Sequence, residues 1–452
     1  MRKILRGEKS LKKCFYLILC TVLLTSCTKI RTEEDARLLT TVTEDIDDTK
    51  LEKNLEIDAN NLVTEGNGIS LTLEEALEDY DYMWEVLENN YAYFGVANRL
   101  YGVSPEEIKK KYRDYILYFY ESGADLIAYN RTLRACLSEF KGTAHLGFID
   151  HDYWDVYKYA LELDKEVLED TSGLQFFIDP LIDEKTVLAY EYITGKSREE
   201  IVTNPENILS SNQHNLEFRL IDNDIAYMRI NSFQHRYIAN DHEKIMDFYH
   251  SIQDCKYLII DITGNQGGSS FYWGNSIVSP NFNEKIEYDT VSFLKDGKEN
   301  REYVEAAGFQ IEPISAFDIE SLENFNMEDY ETLDSVARYK KIYQPINDKK
   351  LFEGEIYLLI DEKVYSSAEA FTLFCKETGF ATIVGRNSRG CSSRVSPLPT
   401  SLPNSGLVFR YTNLYRINKD GSSNVEFGTT PDYICDEGET PLNTCLRIIR
   451  GK

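Results

Sequence analysis

Asp361-Glu362-Lys363-Val364-Tyr365-Ser366-Ser367-Ala368-Glu369-Ala370-Phe371 follows the apolar run Glu355-Ile356-Tyr357-Leu358-Leu359-Ile360, and the join between them decides how the chain is read. The apolar run reads as a buried strand, and the periodicity that begins after Ser366 reads as a helix. Ser366 therefore stands at a strand-to-helix corner. A serine there has two readings. The commoner is a helix cap, in which its side chain accepts a hydrogen bond from a first-turn N–H, and Ser367 shares that reading. The other is a nucleophile: the hydroxyl is lifted clear of the sheet, and the free N–H groups and dipole of the helix point at any oxyanion formed beside it.

A second segment lies upstream, Tyr257-Leu258-Ile259-Ile260-Asp261-Ile262-Thr263-Gly264-Asn265-Gln266-Gly267-Gly268. Here an apolar strand runs into a glycine-rich bend. Glycines there let the backbone approach a ligand closely and present N–H groups in conformations that other residues avoid.

Together the two segments resemble the C-terminal processing (tail-specific) serine peptidases. That family carries a strand ending Asp-x-Arg-x-Asn-x-Gly-Gly and, later, a strand followed by Ser-Ala-x-Glu with the nucleophile three residues before the glutamate. Ser366 to Glu369 keeps that spacing, and Asp261 to Gly268 fits the first motif with Thr263 in place of the arginine. Ala381-Thr382-Ile383-Val384-Gly385 matches the next strand, and Gly428-Thr429-Thr430-Pro431-Asp432 looks like the closing Gly-x-x-Pro-Asp. The resemblance runs from about Thr72 to Lys452. It implies an α/β fold, a ClpP/crotonase-like spiral core preceded by a helical N-terminal subdomain.

The departures bear on mechanism. One branch of the family uses a lysine base, and Cys391 stands at that position here. Another branch, resembling the tricorn protease core, takes a histidine from the N-terminal half. Lys141-Gly142-Thr143-Ala144-His145-Leu146-Gly147-Phe148 looks like that branch's motif, with Ala144 where a serine orients the histidine. The resemblance thus implies Ser366 as nucleophile, His145 as base, and backbone N–H groups of Ser367 and Gly267 or Gly268 as the oxyanion site. A neutral imidazole can take a serine proton near pH 7 and return it to a leaving amine. No acid to complete the relay is recognisable in the sequence.

The N-terminus speaks to location. Arg2, Lys3, Arg6, Lys9, Lys12 and Lys13 precede an apolar run, Phe15 to Leu24, that is too short to span a bilayer. Leu24-Thr25-Ser26-Cys27 closes it as a lipobox, so residues 1–26 are expected to be a lipoprotein signal peptide and Cys27 the lipidated first residue of the mature chain. Acyl chains on Cys27 would then be the membrane anchor of a bacterial cell-envelope protein. No aspartate follows Cys27, which favours the outer membrane.

Composition is compatible with that setting. The 452-residue chain has a formal charge of −27, and residues 1–26, with six Lys/Arg and one Glu, raise it; without them it is −32. Such a surface repels nucleic acid and anionic headgroups. Six cysteines remain downstream: Cys136, Cys255, Cys375, Cys391, Cys435 and Cys445. Their irregular spacing indicates neither a zinc site nor a dense disulfide framework, although Cys435 and Cys445 could pair around a short loop. Neither His-Glu-x-x-His nor Gly-x-Ser-x-Gly occurs, which argues against a zinc protease and an α/β-hydrolase. Nothing in the sequence calls for a cofactor.

Residues 27–68 are rich in Thr, Asp, Glu and Asn and read as an acidic flexible tether. Helical periodicity marks 69–149, a subdomain that ends in the histidine motif: a Thr72/Glu75 capping box opens one helix, Ser104-Pro105 a second, and a third spans about 125–140. Its tyrosines read most simply as core. Residues 150–212 form a linker region, at most a reduced PDZ-like insert. Residues 213–452 read as the catalytic domain, with an acidic, aromatic-rich insertion at about 281–350. The resulting expectation is a lipid-anchored serine endopeptidase acting on extended or unfolded polypeptide. The alternative is a relative without turnover that binds peptides, glycans or apolar ligands.

Overall fold

The computed structural model describes residues 68–150, 175–195, 214–346, 348–393 and 395–451. The expected signal peptide, Cys27 and the tether up to residue 67 lie outside these residues. So does most of the region 150–212, of which Asp150 and 175–195 are described.

The N-terminal part is helical because its starts are capped and its apolar residues share faces. Helix α1 (Leu73–Asn90) opens with a reciprocal capping box, Glu75 N–H to Thr72 Oγ1 at 3.2 Å and Thr72 N–H to Glu75 Oε2 at 2.8 Å. Helices α2 (Phe94–Tyr101) and α3 (Pro105–Phe119) follow, the latter capped by Ser104 with proline in its first turn. Asp125 caps α4 (Leu126–Ser138) through the N–H groups of Ile127 and Ala128. Buried Tyr80, Trp84, Tyr91, Tyr93 and Tyr129 fill the space between these helices. That apolar cluster continues without a break into Tyr365, Cys391, Phe409 and Tyr411, so the helices share a core with the segments that carry the site.

After α4 the chain makes a short strand β1 (Gly147–Phe148) and, further on, helices α5 (Gln175–Ile182) and α6 (Glu184–Thr194). Strands β2 (Leu216–Asp222) and β3 (Ile225–Ile230), helix α7 (Ile238–Ser251) and strand β4 (Tyr257–Asp261) then start the main sheet. Strands β5 (Ile286–Leu294), β6 (Gln310–Pro313) and β7 (Ser335–Tyr343) form an excursion before the chain returns at β8 (Glu355–Ile360). Helix α8 (Ser367–Thr378) and strands β9 (Thr382–Gly385), β10 (Leu398–Ser401), β11 (Val408–Tyr411), β12 (Tyr415–Arg416) and β13 (Tyr433–Ile434) lead to the last helix, α9 (Pro441–Ile449).

The main sheet has the order β13-β9-β8-β4-β3-β2, parallel except where β2 pairs antiparallel with β3. Its central strands are continuous apolar runs because both faces are covered. Ala226, Met228, Leu258, Ile260, Leu358 and Ile360 face α7 and α8, whereas Ile225, Tyr227, Ile259, Tyr357 and Leu359 form a cluster with Cys445 of α9. This is the α/β core with a helical N-terminal part that the sequence led us to expect.

The insertion at about 281–350 supplies most of a four-stranded antiparallel sheet, β12-β5-β7-β6. Tyr288 of β5 and Tyr343 of β7 pack edge-on against Phe374 of α8, at ring-centroid distances of 5.3 and 5.1 Å. The insertion thereby clamps the helix that follows Ser366. All six described cysteines are buried and none is in a disulfide, so Cys435 and Cys445 do not pair.

Candidate active site

Ser366 lies between β8 and α8 with φ 57° and ψ −123°, a positive φ that a non-glycine residue adopts only under constraint. The constraint comes from both sides. Tyr365 N–H donates to Asn265 O at 3.2 Å, Ser366 N–H to Gly390 O at 3.3 Å, and Arg389 N–H to Val364 O at 2.8 Å. Ser366 occupies the N-cap position, yet its side chain accepts no capping hydrogen bond. Its Oγ instead lies 3.2 Å from His145 Nε2, although the two residues are 221 positions apart in sequence. The simple helix-cap reading does not describe this serine. Ser366 is half-buried, so its hydroxyl is open to a substrate while the imidazole behind it is covered.

His145 closes a single 3-10 turn, Thr143–His145, between α4 and β1. Ala144 and His145 both have positive φ, 49° and 61°. The turn is held by Tyr91 Oη donating to Thr143 O at 2.8 Å and by Thr412 N–H donating to Ala144 O at 2.7 Å. The strand that follows the turn joins it to the rest of the site, since Phe148 of β1 pairs with Phe409 of β11. The ring stands 4.8 Å from that of Tyr365, over which the Arg389 guanidinium lies at 4.8 Å. Burial holds the imidazole well below its usual pKa of 6.5, and the positive charges of Arg410 and Arg389 push in the same direction. His145 is therefore neutral near pH 7, as a base must be.

Among the described residues, His145 Nδ1 faces no carboxylate. Its partners are Thr412 Oγ1 at 2.8 Å and Cys391 Sγ at 3.2 Å, with the hydroxyl and the thiol 3.7 Å apart. Cys391, at the family's lysine position, thus sits behind the histidine. Thr412 carries no motif and was invisible in the sequence.

The glycine-rich bend packs directly on the serine. At Gly267, φ is 101°, and a Cβ there would come within 2.8 Å of Ser367 N and 2.9 Å of Ser366 Cβ. At Gly268, φ is 135°, and a Cβ would come within 2.3 Å of the Phe233 carbonyl carbon. Only glycine fits either place. The Gly267 N–H is already engaged by Asn265 Oδ1 at 2.8 Å. The N–H groups of Gly268 and Ser367 have no partner among the described residues, and Ser367 Oγ accepts from Trp273 Nε1 at 3.1 Å. Of the three backbone donors suggested by sequence, Ser367 and Gly268 are the ones free to meet an oxyanion.

Thr263, which replaces the motif's arginine, has an arginine beside it all the same. Arg229, from the adjacent strand β3, reaches Thr263 Oγ1 and Thr263 O at 3.0 Å each and Asp261 Oδ2 at 3.1 Å. The family's glutamate and its closing motif also meet: Glu369 Oε1 accepts from Thr429 Oγ1 at 2.6 Å and from Asn424 Nδ2 at 2.7 Å. Asp432 receives the Ile383 N–H at 2.9 Å, tying the same closing segment to β9. A cavity of about 890 Å³ opens beside the far end of α8, lined by Leu373, Lys376, Glu377, Phe427 and Thr430 among others, and neither Ser366 nor His145 lines it.

Residues 224–435 match the model of Peptidase family S41. Among solved structures, the chain is similar to a candidate peptidase from Parabacteroides merdae at 18% identity, over 83% of this chain and 96% of that one, with a TM-score of 0.49. It is also similar to mature CPAF at 12% identity, over 80% and 92%, with a TM-score of 0.47. A lipoprotein from Streptococcus agalactiae is 12% identical over 86% of this chain and 99% of its own, with a TM-score of 0.41. No curated protein matches the sequence.

Proposed function

We propose that the chain, whose residues 224–435 match the model of Peptidase family S41, is a serine-type peptidase that cleaves extended or unfolded polypeptide through an acyl-enzyme on Ser366. The observation that carries this reading is the 3.2 Å contact between Ser366 Oγ and His145 Nε2, made by a serine whose side chain caps nothing. Neutral His145 takes the hydroxyl proton as Ser366 attacks the scissile carbonyl. The tetrahedral oxyanion is met by the N–H groups of Ser367 and Gly268, each such donor worth about 100- to 1000-fold in rate. The imidazolium then protonates the leaving amine. In the second half, water attacks the ester with His145 again as base, and Ser366 recovers its proton.

The test is mass spectrometry of an unfolded protein after incubation with the wild type and with Ser366→Ala and His145→Ala. New termini absent from both variants support the Ser-His mechanism. Cleavage that survives Ser366→Ala contradicts it. A second reading, binding without turnover, is favoured by the two arginines that disfavour an imidazolium and by the lack of a carboxylate on Nδ1 among the described residues. It predicts measurable peptide affinity, no products, and equal affinity in Ser366→Ala.

We further infer from the lipobox that Cys27 anchors the protein in a bacterial cell envelope, in the outer membrane. Metabolic labelling with an alkyne fatty acid tests this: label on the wild type that is absent from Cys27→Ser supports the anchor, and equal labelling of the two contradicts it.

A further inference from the structure

We propose that Thr412 and Cys391 together replace an acid as the groups that orient His145 and select its working tautomer. The inference rests on the serine-peptidase reading above and deepens it. A neutral imidazole carries one proton, on Nδ1 or on Nε2. To receive the Ser366 proton, Nε2 must be bare, so Nδ1 must hold the proton and give it to an acceptor. A carboxylate can only accept, and thus enforces this tautomer. Here the two groups on Nδ1 are a hydroxyl at 2.8 Å and a thiol at 3.2 Å, and each can donate as well as accept.

The direction of a short hydrogen-bonded chain then decides whether the site works. In one direction Nδ1–H donates to Thr412 Oγ1, and the threonine hydroxyl turns its own proton toward Cys391 Sγ, 3.7 Å away. Nε2 is then free to act as base. In the other direction the hydroxyl or the thiol donates to Nδ1, the ring proton moves to Nε2, and His145 donates to Ser366 instead of accepting from it. The charged groups that act on the ring, Arg410 and Arg389, are both cationic, so neither helps Nδ1 keep its proton. The thiol's contribution is to give the Thr412 hydroxyl an acceptor other than His145.

The threonine is well placed to be tested without disturbing the fold. Its backbone N–H is held on Ala144 O at 2.7 Å, and the preceding strand β11 is paired with β1 and β10. The hydroxyl can therefore be removed by an isosteric change while the main chain stays where it is. Thr412 is a positioning residue: it acts through His145 and touches no reacting atom.

The experiment uses the full chain in detergent and four variants: Thr412→Val, Thr412→Ser, Cys391→Ala, and the double variant Thr412→Val/Cys391→Ala. Two readouts are taken. One is the rate at which a fluorophosphonate phosphonylates Ser366, together with kcat and KM on a peptide. The other is the 15N shifts of His145 in protein labelled at its six histidines, which report the tautomer whether or not peptide is turned over. Thr412→Val is expected to lower kcat and the phosphonylation rate by roughly 10- to 100-fold, less than the loss known when a triad aspartate becomes asparagine. KM should change by less than about twofold, as for a group that acts only in the transition state. Thr412→Ser should restore the rate, Cys391→Ala should cost less, and the double variant should lose more than either single change. In wild type the shifts should show protonated Nδ1, and in Thr412→Val a mixture. Wild-type rates and shifts in Thr412→Val and the double variant would overturn the proposal even with Ser366 confirmed as nucleophile. Labelling and cleavage that persist in Ser366→Ala would instead sink the underlying reading.

Discussion

Replacing Glu369 by glutamine is expected to stabilise the protein at pH 8 far more than at pH 5. Glu369 is fully buried in α8, with Oε1 accepting from Thr429 and Asn424 and Oε2 without a hydrogen-bond partner among the described residues. Burial raises its pKa from 4.5 to about 7, against the opposing effect of the neighbouring polar groups of Ser388, Thr429 and Asn424. A folded pKa above the unfolded one means that the native state holds this proton more tightly. The stabilisation is complete below pH 4.5 and is lost as pH rises through about 7, where ionisation must occur in the interior. A shift of that size is worth about 3 kcal/mol, of which roughly 2–3 kcal/mol develops between pH 5 and pH 8. Glutamine keeps the accepting oxygen and cannot ionise, so the variant escapes this loss. The assay is urea unfolding of wild type and Glu369→Gln at both pH values, followed by tryptophan fluorescence. The difference between the two proteins should shift in favour of Glu369→Gln by that amount at pH 8. A difference that stays constant across the range would refute the reasoning, because it would mean that Glu369 titrates alike in the folded and unfolded chain.

Other expected outcomes follow from the same geometry. Gly267→Ala forces a Cβ within 2.8 Å of Ser367 N at φ 101°, so it should abolish Ser366 reactivity; normal phosphonylation of that variant would contradict the packing of the bend on the serine. Because burial keeps His145 neutral well below pH 6.5, the acid limb of kcat/KM should fall below that of an ordinary imidazole, and a limb at or above 6.5 would speak against His145 as base. The same depressed pKa should cost stability as pH drops below 6.5, where the unfolded histidine binds a proton that the folded one resists. Arg99 pairs with Asp329 at 2.6 Å and Glu426 at 2.7 Å, and Asp329 is only 3% exposed. Arg99→Ala leaves that carboxylate buried, with Tyr415 Oη as its one remaining side-chain donor among the described residues, and should cost about 3 kcal/mol in unfolding measurements; a loss below about 1 kcal/mol would contradict it.

The parallel core was legible because strands covered on both faces must be apolar throughout, as Leu358-Leu359-Ile360 and Leu258-Ile259-Ile260 are. The insertion was not read as a sheet. Its strands are partly exposed and charged, and Arg338, Lys340 and Lys341 break up the alternation of β7. At the site, Ser366 and His145 were recognisable only through short motifs, since nothing in local periodicity brings together residues 221 positions apart. The link between Glu369 and Thr429 gives those motifs a physical basis: the glutamate of one binds the threonine of the other. Arg229 and Thr412 left no trace in sequence, because each reaches its partner from a neighbouring segment and no spacing rule marks it. Cys391 was noticed for what it replaces, and its contact with His145 Nδ1 appears only in three dimensions.

The most direct test of the account is to treat the folded chain with a fluorophosphonate and locate the adduct by peptide mapping. The mechanism predicts a single phosphonylated residue, Ser366, and near-complete loss of the adduct in His145→Ala protein that melts like wild type. An unmodified Ser366, or an adduct that forms equally fast without His145, would contradict the Ser-His site.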